Sequence, residues 1–205
     1  MEIGLLVSIL IGYLLGSISF SYLIGRKLLK LDIRTMGSGN AGATNTLRVM
    51  GKGPAISVLV LDIAKGIAAV WIGVWLGAGN AWVPALAGLA AILGHNWPIY
   101  FGFRGGKGVA TTIGVIATLV LIPALTAGVI AILSIVFTRY VSLGSLLFVG
   151  LTPLTTWIFM DVFSIPIEFF YLTLAVALLS FWKHRTNIKR LTTGTENKLG
   201  SKKGA

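Results

Sequence analysis

Three short stretches of this chain gather glycine, small polar side chains and cations, a combination suited to holding phosphate groups. The first reads Gly37-Ser-Gly-Asn-Ala-Gly-Ala-Thr-Asn45 and runs on to Arg48. Its glycines, Gly39 among them, let backbone N–H groups come close to an anion, while Ser38, Asn40, Thr44 and Asn45 supply short hydrogen-bonding side chains. A merely flexible loop would not need so many of them. The second stretch reads Gly94-His-Asn-Trp-Pro98 and then Gly102-Phe-Arg-Gly-Gly-Lys-Gly108. Arg104, Gly105, Gly106, Lys107 and Gly108 lead into an apolar helix, so the free amides and positive dipole end of that helix add to two cations. The plain alternative is a basic turn at a membrane surface. The third stretch, Lys183-His-Arg-Thr-Asn-Ile-Lys-Arg-Leu191, continues to Glu196.

Other chemistries are poorly served. The formal Gly-x-Gly-x-x-Gly at Gly37, Gly39 and Gly42 lacks the strand–turn–helix setting of a dinucleotide site. Around Lys107 the nucleotide-binding loop pattern fails twice: Phe101 stands where glycine is required, and Gly108 replaces the hydroxyl that would hold magnesium. The 2 His and 6 acidic residues are too scattered to suggest a metal site. With 0 Cys there are no disulfides and no thiol nucleophile. Neither metal nor cofactor is expected.

The elements that must position these stretches are membrane helices. Hydrophobic residues make up 56% of the chain and charged ones 11%, against roughly 25% in soluble domains. Apolar segments run over about Ile3–Gly25, Pro54–Gly77, Ala81–Leu93, Val141–Met160 and Ile165–Trp182, with a longer one over Val109–Phe137. As one helix that last segment would be about 43 Å long, too long for a core of about 30 Å unless strongly tilted. Gly12 and Gly16, and again Gly73 and Gly77, have the spacing of close helix contacts. Asp62 and Lys65 share one face of a span, either as a self-neutralising pair or with a part in the site.

Charge settles the layout. The net charge of +11 is read through the positive-inside rule rather than as a nucleic-acid signal. If the N-terminus lies outside and Val109–Phe137 turns at Pro123 to cross twice, all of the 17 Lys and Arg except the intramembrane Lys65 fall on the cytoplasmic side. The expectation is an all-α polytopic bundle of about seven spans, N-terminus out and C-terminus in. It would form one domain over 1–205, with a short basic tail from about residue 183. All three glycine- and cation-rich stretches then share the cytoplasmic face.

These stretches, in this order, resemble the motifs of the bacterial acyl-phosphate-dependent glycerol-3-phosphate acyltransferases, the PlsY family. The resemblance rests on residues 37–45, on 94–98 with 104–108, and on 184–191 with Gly194-Thr-Glu196. It implies transfer of a fatty acyl group from acyl phosphate to glycerol 3-phosphate, giving lysophosphatidic acid and phosphate in a bacterial inner membrane. Both substrates and membrane lipid would be its partners. In such an enzyme Ser38 and Arg48 would be essential, and the glycines of the second motif with Lys107 would bind glycerol 3-phosphate. His184 and Asn187 would support activity, and Glu196 would support structural integrity. No dedicated base is evident from the residues. Ser38 reads as a hydrogen-bonding ligand and a substrate phosphate oxygen as the proton acceptor, with His184 as the competing base. An organic-phosphate transporter is the alternative, although the polar clusters lie at one face only.

Overall fold

A computed structural model describes residues 2–200, and every regular element among them is helical. The chain packs as two compact units, Met1–Leu119 and Val120–Ala205. The first unit contains α1 (Glu2–Gly16), α2 (Phe20–Leu29), α3 (Ala43–Met50), α4 (Lys52–Leu76), α5 (Trp82–Asn96) and α6 (Val109–Leu119). The second contains α7 (Leu121–Thr138), α8 (Val141–Phe159), α9 (Ile167–Lys183) and α10 (Arg185–Thr192).

The packing of α4 is the inverse of a water-soluble helix. Its buried face carries Ala55, Val58, Asp62, Lys65, Gly66, Ala69, Val70 and Gly73, while Ile56, Trp71 and Trp75 are exposed. Small and polar residues turn inward and large apolar ones outward, the pattern expected where the solvent is lipid and helices meet by close backbone contact. The contact between α1 and α5 shows how close. A Cβ at Gly16 would lie 2.6 Å from the Ala91 Cα, and one at Gly12 would strike the Ala87 carbonyl. Gly12 and Gly16 thus match Ala87 and Ala91 at the same four-residue step, as their spacing predicts. Gly73 lies similarly against Pro84.

Among the described residues, four helical segments are long and apolar enough to cross a bilayer: Glu2–Leu29, Lys52–Leu76, Leu121–Thr138 and Val141–Phe159. Ile167–Lys183 joins Arg185–Thr192 at a 62° bend, and the pair together counts as a fifth if it is one span. The first of these is interrupted at residues 17–19, where the Ser17 hydroxyl donates to the Tyr13 carbonyl at 2.8 Å and the helix restarts at Phe20. The long stretch Val109–Phe137 is divided, but at Val120 rather than Pro123. Pro123 instead occupies the first turn of α7, where its missing N–H would have had no helical partner. The break therefore moves upstream of the proline, leaving α6 with 11 residues and a rise of about 16 Å.

Candidate active site

The first polar stretch is a loop built around one amide. Asn45 is buried on α3, and its Oδ1 accepts hydrogen bonds from the Ser38 backbone N–H at 2.8 Å and the Ser38 hydroxyl at 3.1 Å. Its Nδ2 donates to the Ile33 carbonyl at 3.1 Å and the Met36 carbonyl at 3.0 Å. Two acceptor and two donor positions are all an amide side chain has, so Asn45 is fully used inside the loop. The sequence groups it with the substrate-binding side chains; in the structure its amide also holds Ser38 in place. Gly37 and Gly39 flank Ser38 with φ of 59° and 71°, a left-handed geometry that presents the serine on an exposed turn. Thr44 and Arg48 lie four residues apart on α3, hence on one face, and Arg48 is exposed.

The second stretch is pressed onto the end of α5. The Gly106 N–H donates to the His95 carbonyl at 3.1 Å. Side chains at Gly105 or Gly106 are impossible without movement: a Cβ on Gly105 would strike the His95 carbonyl, and one on Gly106 would strike both His95 Nε2 and the Ala41 carbonyl. A Cβ on Gly108, whose φ is 79°, would lie 2.9 Å from Asn96 Oδ1. Gly106 is therefore where the two glycine-rich loops touch, since Ala41 belongs to the first. From Gly108 the chain enters α6, with Thr112 N–H donating to the Gly108 carbonyl at 2.7 Å. Lys107 is half-buried between Gly106 and Gly108, and Arg104 is exposed at the outer end of the run.

Arg34, read from sequence only as a cytoplasmic cation, also ties the two loops together. Its guanidinium makes a forked ion pair with Asp32, the closest contact being 2.8 Å. It also donates to the carbonyls of Phe101 at 2.6 Å and Arg104 at 3.3 Å, and lies 4.7 Å from the centre of the Tyr22 ring. Side-chain hydrogen bonding to Arg34 holds the Asp32 carboxyl below its ordinary range, outweighing burial. No sequence pattern announces this brace, because its distant acceptors are backbone carbonyls.

The third stretch is assembled within the second unit. His184 is buried at the bend between α9 and α10, its Nδ1 2.8 Å from the Ser180 carbonyl. A carbonyl only accepts, so Nδ1 carries a proton and Nε2 is the nitrogen through which any proton exchange would pass. Glu196 collects three donors: Asn187 Nδ2 at 2.7 Å, the Ser142 hydroxyl at 3.0 Å and Arg190 Nε at 2.7 Å. The carboxylate thus clamps α10 to the start of α8. Burial opposes its charge, but hydrogen bonds from Arg190, Asn187 and Ser142 prevail and hold its pKa below the ordinary value. A depressed folded-state pKa gives stability that is complete above the unfolded value, about 4.3, and is lost as pH falls through the folded one. Glu196→Gln should accordingly lower the melting temperature at neutral pH and flatten the melting profile below about pH 5, as pH-dependent thermal denaturation would show. An unchanged profile would mean that the clamp contributes nothing.

Ser38, Arg48 and Lys107 thus belong to one compact unit, and His184, Asn187 and Glu196 to the other. Among the described residues, no group of three or more His, Asp or Glu side chains gathers where a metal could bind.

Comparison with known proteins bears on what these loops serve. The family described as glycerol-3-phosphate acyltransferase matches residues 6–194. A glycerol-3-phosphate acyltransferase of Shouchella clausii is 64% identical over 98% of this chain and 99% of its own length. One from Halalkalibacterium halodurans is 63% identical over 99% and 98%. Among solved structures, PlsY, an integral membrane glycerol 3-phosphate acyltransferase, superposes in its glycerol 3-phosphate form with a TM-score of 0.85 at 38% identity, over 96% of each chain. Its lysophosphatidic acid form gives 0.82 at 37%, over 96% of this chain and 95% of the other. A family match spanning nearly the whole sequence, and a shared helical frame at this level of identity, place the chain in the glycerol-3-phosphate acyltransferase family of integral membrane enzymes represented by PlsY.

Proposed function

We propose that this chain transfers a fatty acyl group from an acyl phosphate to glycerol 3-phosphate, forming 1-acyl-glycerol 3-phosphate and inorganic phosphate at the cytoplasmic face of a bacterial inner membrane. The observation that carries the reading is the contact at Gly106, where two glycine-rich, cation-bearing loops share one floor. Two anion-binding loops in contact suit a reaction in which both substrates carry phosphate. Solved relatives in glycerol 3-phosphate and lysophosphatidic acid forms support the acceptor and the product.

An acyl phosphate is a mixed anhydride with a good leaving group. The glycerol hydroxyl oxygen attacks the acyl carbonyl, the carbon–oxygen bond to phosphate breaks, and phosphate departs with the bonding pair. In this scheme the hydroxyl proton passes to a substrate phosphate oxygen. Lys107, Arg48 and Arg104 balance the phosphate charge beside the main chain of 105–108, whose Gly106 N–H is already given to the His95 carbonyl, with Gly39, Asn40 and Thr44 completing the first loop around Ser38. Ser38 already donates to Asn45, which suits a positioned ligand rather than an acylated nucleophile. His184 and Asn187 support activity, as the resemblance to the family implies. Positioning can supply about 7–11 kcal/mol and one oxyanion donor about 3–4, so electrostatics and alignment suffice without a dedicated base.

The test is a purified-protein assay with three donors. Acyl phosphate should yield lysophosphatidic acid and stoichiometric phosphate, while acyl-CoA and acyl-carrier protein yield none. Turnover with acyl-CoA alone, or trapping of an acyl-Ser38 ester, would overturn the donor or the mechanism respectively. Vesicle uptake of glycerol 3-phosphate without product would favour a transporter. The accompanying layout, seven spans with the N-terminus out and the C-terminus in, rests on charge placement. A cysteine introduced at Pro123 should react with impermeant reagent only from the outer side, and labelling only from the cytoplasm would refute it.

A further inference from the structure

Beneath the two loops lies a buried charge cluster that the proposed mechanism does not use. Lys65 on α4 and His95 at the end of α5 are 5% and 7% exposed, and Asp62 only 1%. The Lys65 Nζ has three acceptors around it: Asp62 Oδ1 at 2.8 Å, the Ile18 carbonyl at 2.8 Å and His95 Nδ1 at 3.0 Å. Asp62 Oδ1 also stands 3.6 Å from His95 Nδ1, so carboxylate, ammonium and imidazole form one buried cluster. The Ile18 carbonyl lies in the break of the first span, between α1 and α2. Lys65 thus links three helical segments at a single point.

His95 carries that linkage to the loops. Its carbonyl accepts the Gly106 N–H, and its Nε2 edge lies directly against the Gly106 Cα, beside the Ala41 carbonyl. Of the three atoms nearest a Cβ built on Gly106, two belong to the His95 ring and the third is the Ala41 carbonyl oxygen. We infer that Asp62, Lys65 and His95 form a positioning unit for the phosphate cradle. The ion pair fixes the imidazole's tilt, and the imidazole sets the height of Gly106 and hence the spacing of the two anion-binding loops. A charge pair inside a membrane span is expensive to maintain, and this arrangement supplies a reason for it. The inference deepens the proposed function and rests on that reading for the identity of the anions.

Two variants of the full-length protein test it. His95→Asn retains an acceptor near the Nδ1 position for Lys65 but removes the part of the ring under Gly106. The double variant Asp62→Asn with Lys65→Met removes both charges together, which disturbs folding far less than stranding one of them. Each should melt within a few degrees of the wild type. Each should also raise the KM for glycerol 3-phosphate by tenfold or more, with a smaller change in kcat, and weaken the protection that glycerol 3-phosphate or inorganic phosphate gives against thermal unfolding. Wild-type KM and protection in His95→Asn would overturn the inference, because a purely structural role for His95 ends at satisfying Lys65. If the double variant does not fold, His95→Asn alone decides. Ligand protection also separates the two readings. Wild-type protein that is protected by glycerol 3-phosphate but inactive with acyl phosphate refutes the donor assignment, while loss of protection in His95→Asn still upholds the positioning unit.

Discussion

Lys107→Ala is expected to lower kcat/KM by about 10²–10³-fold, the loss that follows removal of one well-placed electrostatic donor. The expectation comes from the way the lysine is held. Gly106 is fixed by the His95 carbonyl and by crowding on both sides, and Gly108 is in the left-handed region at the mouth of α6. The main chain around Lys107 therefore has little freedom, and its ammonium is delivered to one place. Both kcat and KM should suffer, since the same charge meets phosphate in the ground state and in the transition state. Lys107→Arg should rescue poorly, because a planar fork does not reproduce a compact point charge. Arg104→Ala, at the exposed rim, should lose much less. Steady-state kinetics with both substrates varied would check this, and an Arg104 effect equal to that of Lys107 would place the cradle elsewhere.

Asn45→Asp should abolish activity as fully as Ser38→Ala, although it changes a single atom type. The carboxylate could still accept from Ser38, but its second oxygen would face the carbonyls of Ile33 and Met36, which now receive hydrogen bonds at 3.1 and 3.0 Å. Acceptor would oppose acceptor inside a buried loop. Each carbonyl left without its donor costs about 1–3 kcal/mol, so the loop would open and Ser38 would leave its place. Asn45→Ala should be nearly as damaging, because both carbonyls and the Ser38 N–H lose their common partner. The readout is acyl transfer beside a melting curve. A stable, active Asn45→Asp protein would show that the amide does not organise the loop.

What could be read from sequence divides along a physical line. The three polar stretches were legible because anion binding needs glycine, cations and short polar groups, and those residue types are rare in an otherwise apolar chain. Helices were legible from long apolar runs, and the contact of Gly12 and Gly16 from spacing alone. The break at Val120 was misplaced to Pro123 because a proline marks a boundary without saying on which side it falls. The part Asn45 plays inside the loop was hidden because composition cannot distinguish an amide that faces outward from one whose four positions are filled. The braces of Arg34 and His95 were hidden for a related reason: both act on backbone atoms of a distant segment, and a carbonyl or a Cα leaves no trace in residue identity. The pairing of Asp62 with Lys65 could be foreseen from their three-residue separation, whereas its connection to His95 required the tertiary arrangement.

The Arg34 strut has a kinetic consequence. Asp32 cancels its charge through a forked contact, so the guanidinium acts as a mechanical tie and adds almost nothing to the potential that draws dianions from solution. That attraction falls to the side chains of Arg48, Arg104 and Lys107. Added electrolyte, which shortens the Debye length to about 8 Å near 0.15 M, therefore slows the arrival of substrate while the joint between the loops, held by short partly buried bonds, stays closed. Capture and alignment are thus assigned to different cations.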